Sequence, residues 1–182
     1  MKKAQNSTPK GNTDPHIRDV KALIKLLIAD LESKDGVGRV KARRQLVAFR
    51  KQSVAPLIRM LSNENDWVRW EAAKALRQIG NAESIQALLE ALTDKQLEVR
   101  WLAAEGLIRI GRKTIAPLLG ALVRHSDSLW LREGINHVLQ DINRGKIREV
   151  LRPVLVALEG PAPSLEVPLA AQAALKALIN KV

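Results

Sequence analysis

Four tryptophans, with carboxylates and one histidine at related spacings, are the side chains of this sequence best placed to do chemistry. Trp67 and Trp70 stand three residues apart, Trp101 lies 31 residues beyond Trp70, and Trp130 lies further on. Glu71 follows Trp67 by four positions and Glu105 follows Trp101 by four. Residues four apart on a helix are neighbours on one face, so each pair would set an indole beside a carboxylate. Lys74, Arg109 and His137 fall at similar spacings along the same segments. This is the chemistry of binding. The three histidines, His16, His125 and His137, are far apart, and no His-Glu pairs recur. There is no HExxH, no phosphate-binding P-loop and no GxSxG. The absence of cysteine excludes disulfides and thiolate metal sites. No cofactor is expected.

The elements that must position these residues are helices. Apolar residues make up 46% of the 182 residues but aromatics only 3%, with no Tyr and a single Phe. Strand-rich folds need more aromatics and an alternating pattern. The formal charge of +11 is uneven: residues 1–60 hold 14 Lys/Arg against 5 Asp/Glu, whereas the remainder is nearly balanced. A basic end points to one local contact with something acidic. Residues 1–13 are polar, with Pro9 and Gly11, and are expected to be a disordered tail before a domain over 14–182. No apolar run reaches membrane-spanning length and no signal-like segment follows Met1, so a soluble, cytoplasmic protein is expected.

The chain repeats itself. Val68-Arg69-Trp70-Glu71-Ala72-Ala73-Lys74-Ala75-Leu76 aligns without gaps on Val99-Arg100-Trp101-Leu102-Ala103-Ala104-Glu105-Gly106-Leu107, and the alignment continues to Ile79-Gly80 and Ile110-Gly111. Arg39 and Arg132 mark weaker copies on either side. Apolar residues at i, i+4, i+8 and i+11, as in Val68, Ala72, Leu76 and Ile79, form one helical stripe. Gly80 and Gly111 are stop signals. A shorter helix precedes each stripe, with Ser53 and Thr114 as expected N-caps and Pro56 and Pro117 in its first turn. Asp14-Pro15 reads as a helix start. The pairs expected are 15–33 with 38–51, 54–62 with 66–79, 84–92 with 97–110, 115–124 with 128–142, and 147–158 with 166–180. One pair cannot bury its stripe alone, so the array is the folding unit.

The D-x-V-R-x-x-A-A-x-A-L-x-x-I-G run from Asp66 to Gly80 resembles the HEAT-like repeat of the phycobilisome-lyase type. That resemblance implies an all-α fold, a right-handed α-α superhelix (alpha solenoid) of about five HEAT-like helix pairs. It also implies that Arg39, Arg69, Arg100 and Arg132 brace loops, and that the second helices line a concave face. The outward positions would then be Asp66, Trp67, Trp70, Glu71, Lys74 and Gln78 in repeat two. In repeat three they would be Leu97, Glu98, Trp101, Leu102, Glu105 and Arg109, and in repeat four Leu129, Trp130, Glu133, Gly134, His137 and Asp141.

The function expected from this placement is a non-catalytic scaffold or adaptor. It would hold a protein or peptide at Trp67, Trp70, Glu71, Lys74, Trp101, Glu105, Arg109, Trp130 and His137, with apolar and basic anchors on the partner. Arg39, Lys41, Arg43 and Arg44 form a candidate contact for an anion or an acidic partner. Two other readings share the fold. One is a DNA-binding protein related to HEAT-like alkylpurine DNA glycosylases, which use Trp and a nearby carboxylate. The other is a bilin-lyase-like chaperone. The carboxylates of the face would repel duplex DNA, and nothing selects a tetrapyrrole.

Overall fold

The computed structural model describes residues 15–179. Ten α-helices appear among them: α1 (Pro15–Asp30), α2 (Gly36–Ala48), α3 (Lys51–Met60), α4 (Asp66–Ile79), α5 (Ile85–Ala91), α6 (Leu97–Ile110), α7 (Ile115–Arg124), α8 (Leu129–Ile142), α9 (Ile147–Glu159) and α10 (Pro163–Ile179). No strand is present among the described residues. The five expected pairs all form. The expected tail over 1–13 and the Asp14 cap lie outside the described residues.

Local chemistry accounts for the boundaries of the second helices. Asp35 caps α2 by accepting from the Val37 and Gly38 amides at 2.9 Å, and Asn65 caps α4 from Trp67 N at 3.0 Å. Gly80 closes α4 in the left-handed region, φ 64°, returning its N–H to Leu76 O at 2.9 Å. The expected caps of the first helices are different in kind. Ser53 is buried inside α3, and its hydroxyl donates to Leu46 O at 2.6 Å. Thr114 donates to Gly111 O at 2.7 Å and caps no amide. These buried hydroxyls satisfy carbonyls at the end of the preceding helix, a need set by burial and invisible in local pattern. Because α3 begins at Lys51, Pro56 lies inside it and not in its first turn.

The core runs the length of the array. Val68, Ala72, Leu76, Val99, Ala103, Leu107, Ile135 and Leu139 are buried, with Leu57, Leu88 and Leu118 of the first helices against them. Second helices stack in the order α2, α4, α6, α8, with the α4–α6 seam the most extensive.

The repeat arginines brace loops as the resemblance implied. Nη1 of each donates to the carbonyls six and five residues earlier: Arg39 to Ser33 O and Lys34 O, Arg69 to Asn63 O and Glu64 O, Arg100 to Asp94 O and Lys95 O. Arg132 reaches Ser126 O. Each ties its helix to the turn that precedes it.

The last pair departs from the pattern. α10 packs on α7 and α9 and does not extend the α2–α8 row. Pro168 stands where the brace arginine would be, so this turn has no such tie. The link is instead Ser126 Oγ donating to Ser164 O at 3.3 Å.

One register position was also misplaced by the sequence reading. Glu71, Leu102 and Gly134, expected outward, all face inward. Glu71 and Leu102 are buried, and a Cβ on Gly134 would meet Leu92 Cδ2 at 2.9 Å. A second helix has two sets of neighbours, its own first helix and the preceding repeat, so its covered arc is wider than one stripe.

Candidate functional site

The N-terminal ends of α4, α6 and α8 expose a row of large apolar side chains. Trp67 is 60% exposed, Leu97 64%, Trp101 55%, Leu129 56% and Trp130 44%. Trp70 is half-buried and packs on the core. The sequence reading gave all four indoles one role; the structure gives them different surroundings.

Trp67 and Trp130 cover the brace arginines of the preceding repeat. The Arg39 guanidinium carbon lies 5.6 Å from the Trp67 ring centroid, and that of Arg100 lies 4.4 Å from Trp130. Trp67 and Trp130 occupy the same repeat position, two residues before the next brace arginine. In the seam between them that position is Glu98, and Arg69 finds a carboxylate elsewhere. Its Nε donates to Asp94 Oδ2 at 2.7 Å and its Nη2 to Asp66 Oδ1 at 2.6 Å. Asn63 stands where Asp94 would serve Arg39, and it gives its amide to Glu32; Arg39 Nε is left buried without an acceptor.

Trp70 meets Trp67 edge-on at 6.3 Å, and Lys74 Nζ lies 4.1 Å from its ring centroid. Trp101 stacks on His137 at 4.9 Å with 28° between planes. His137 Nε2 is 3.5 Å from Glu105 Oε1, and Arg77 Nη2 is 3.6 Å from Glu105 Oε2. Arg77, Glu105, His137 and Trp101 thus link α4, α6 and α8 across the face. Arg109 is exposed and lies across Gly80.

Two small clefts open between α4 and α6. One, of about 290 Å³, is lined by Asp66, Trp67, Trp70, Gln96, Glu98 and Val99. The other, of about 330 Å³, is lined by Trp70, Leu97, Glu98, Trp101 and Leu102. The Asp66 carboxyl is held below its ordinary range, first by the hydrogen bond from Arg69 and then by Lys95 and Gln96, against the opposing effect of burial. The Asp94 carboxylate first, and Asp66 with it, raise the Arg69 pKa against the opposing effect of burial.

Two residues of the expected face and basic cluster are withdrawn into the protein. Arg43 and Glu71 form a buried ion pair, Nε to Oε2 at 2.7 Å, and Arg43 Nη1 also donates to Gln78 at 3.0 Å. Neither side chain is available to a partner. Arg39 is occupied by its loop and by Trp67. Of the basic cluster, Lys41 and Arg44 remain exposed on α2. Leu97, Glu98 and Leu129, expected outward but not among the residues expected to hold the partner, join the site. The signal available was the repeat position of Trp67 and Trp130, which Glu98 shares.

The helix pairs, their brace arginines and their shared core define an all-α array of stacked helix pairs. Residues 20–100 match the family model described as HEAT repeats. No curated protein matches the chain. A solved structure titled "Crystal Structure of Engineered Protein" is similar at 23% identity and a TM-score of 0.45, over 91% of this chain and 82% of that one. No helix among the described residues is long and apolar enough to cross a membrane.

Proposed function

We propose that this chain is a non-catalytic scaffold that holds a protein or peptide on the tryptophan-bearing face of α4, α6 and α8. The observation that carries the reading is the set of exposed Trp67, Leu97, Trp101, Leu129 and Trp130 at the N-terminal ends of α4, α6 and α8. Clustered exposed apolar side chains mark interaction sites, and tryptophan is a frequent hot-spot residue. Internal contacts hold these indoles in place, which lowers the entropy cost of binding. The Asp66–Gly80 motif supports the phycobilisome-lyase type of HEAT-like repeat. Lys41 and Arg44, exposed on α2 and unpaired among the described residues, support a second contact for an acidic segment of the partner. The glycosylase-like alternative draws less support, because Glu71 is buried with Arg43 and Glu105 faces His137 and Arg77.

The test is affinity capture from the source proteome with wild type, Trp101→Ala and, as a control on α10, Leu169→Ser. A partner held on the face is recovered by wild type and the control and lost with Trp101→Ala. Equal recovery by all three would place binding elsewhere.

A further inference from the structure

Glu98 is a carboxylate without an internal task. It lines both clefts between α4 and α6, with Trp67 and Trp70 on one side and Trp101 on the other. It is exposed and makes no hydrogen bond or ion pair with any described residue. Its repeat position is the one from which Trp67 and Trp130 cover a brace arginine, but the arginine of this seam, Arg69, is already held by Asp94 and Asp66. Asp66, the other acid at the clefts, is committed to Arg69, Lys95 and Gln96. Glu98 also lies in the first turn of α6, where the helix dipole favours its negative charge without neutralising it.

From this we infer that the cleft between Trp70 and Trp101 is a subsite for a basic side chain of the partner, arginine in the first instance, with its head group at Glu98. The inference rests on the scaffold reading and names the chemistry of its partner. Glu98 is the one charged group of the larger cleft, and its other lining residues are Trp70, Leu97, Trp101 and Leu102. An arginine fits that combination. Its aliphatic stem lies along leucine, its planar guanidinium stacks on an indole face, and its charge meets the carboxylate. Lys74 occupies part of the Trp70 ring and leaves the remainder lining the cleft. A neutral or acidic side chain would leave Glu98 unpaired in the interface, which costs affinity.

Two small probes test the subsite without a known partner: N-acetyl-arginine methylamide and the uncharged N-acetyl-citrulline methylamide. Each is titrated into the full chain while the indole N–H signals of Trp70 and Trp101 are followed by ¹H–¹⁵N NMR. The arginine probe should shift these signals saturably, and citrulline should bind about fivefold or more weakly, the range of a modest cation–π and ion-pair contribution. Glu98→Gln should reduce the discrimination to the part that cation–π stacking alone supplies. Raising the salt should weaken the arginine probe and not citrulline, a check that needs no variant. Equal binding of the two probes, or discrimination undiminished in Glu98→Gln, overturns the inference. If capture depends on Trp101 while the probes fail, the scaffold reading stands and the arginine subsite falls.

Discussion

The Arg100 guanidinium lies over the Trp130 indole, 4.4 Å from the ring centroid, and so joins the brace of one repeat to the first turn of the next. The same relation recurs more loosely at Arg39 and Trp67, 5.6 Å apart. Trp67 and Trp130 therefore have an internal role beside any external one. A double-mutant cycle with Arg100→Met and Trp130→Leu should give a coupling of about 0.5–1 kcal/mol in denaturant melts. Strictly additive losses would mean that the stacking contributes nothing and that Trp130 is held by packing alone.

Arg50 stands in a conformation that suits glycine. Its φ is 48° and its ψ −119°, while Gly80 and Gly111 occupy the equivalent place after α4 and α6 with φ 64° and 76°. Such a backbone costs a side chain about 1–3 kcal/mol. Glycine removes that cost but gives the unfolded chain more freedom, a smaller opposing effect. Arg50→Gly should raise stability by about 1 kcal/mol, or the melting temperature by about 2–4 °C. An unchanged or lowered melting temperature would show that the arginine side chain compensates the strain.

The buried Arg43–Glu71 pair fastens α2 to α4. Removing one partner leaves the other charge buried, so Glu71→Ala should destabilise by about 3–5 kcal/mol. Replacing both, as Arg43→Met with Glu71→Leu, should recover most of that loss, because two apolar side chains need no desolvation of charge. A double variant as unstable as the single one would show that the bond to Gln78 and the fit of the pair matter more than the charges.

Acid should loosen the α4–α6 seam through Asp66. Its folded pKa is depressed, chiefly by the Arg69 hydrogen bond. The stabilisation is then complete above the ordinary aspartate value of about 3.9. It is lost as the pH falls through the lower folded value. Melting temperatures of wild type and Asp66→Asn should therefore differ at pH 6 and converge as acid takes the pH through the lowered folded value, where the carboxyl becomes protonated. A gap that persists unchanged at low pH would mean the charge is not what stabilises the seam.

Much of the array was legible from local pattern. The stripe Val68, Ala72, Leu76, the stops at Gly80 and Gly111, and the brace arginines are set by contacts within one helix pair. Their spacing in sequence is their spacing in space. The residues misjudged are those whose partners lie one repeat away. Glu71 is buried because Arg43 meets it from 28 residues earlier, and Arg69 finds Asp94 25 residues later. Glu98 has no partner among the described residues and Asp94 already serves Arg69, and α10 packs on α7 across two intervening helices of the chain. The sequence by itself determined the helices, their pairing and their apolar stripes, since backbone hydrogen bonding and periodic burial act over a few residues. Only the tertiary structure decided which charges are spent and which indoles are covered. Those outcomes depend on the register between neighbouring repeats, where one helical position more or less turns a side chain from solvent into a seam.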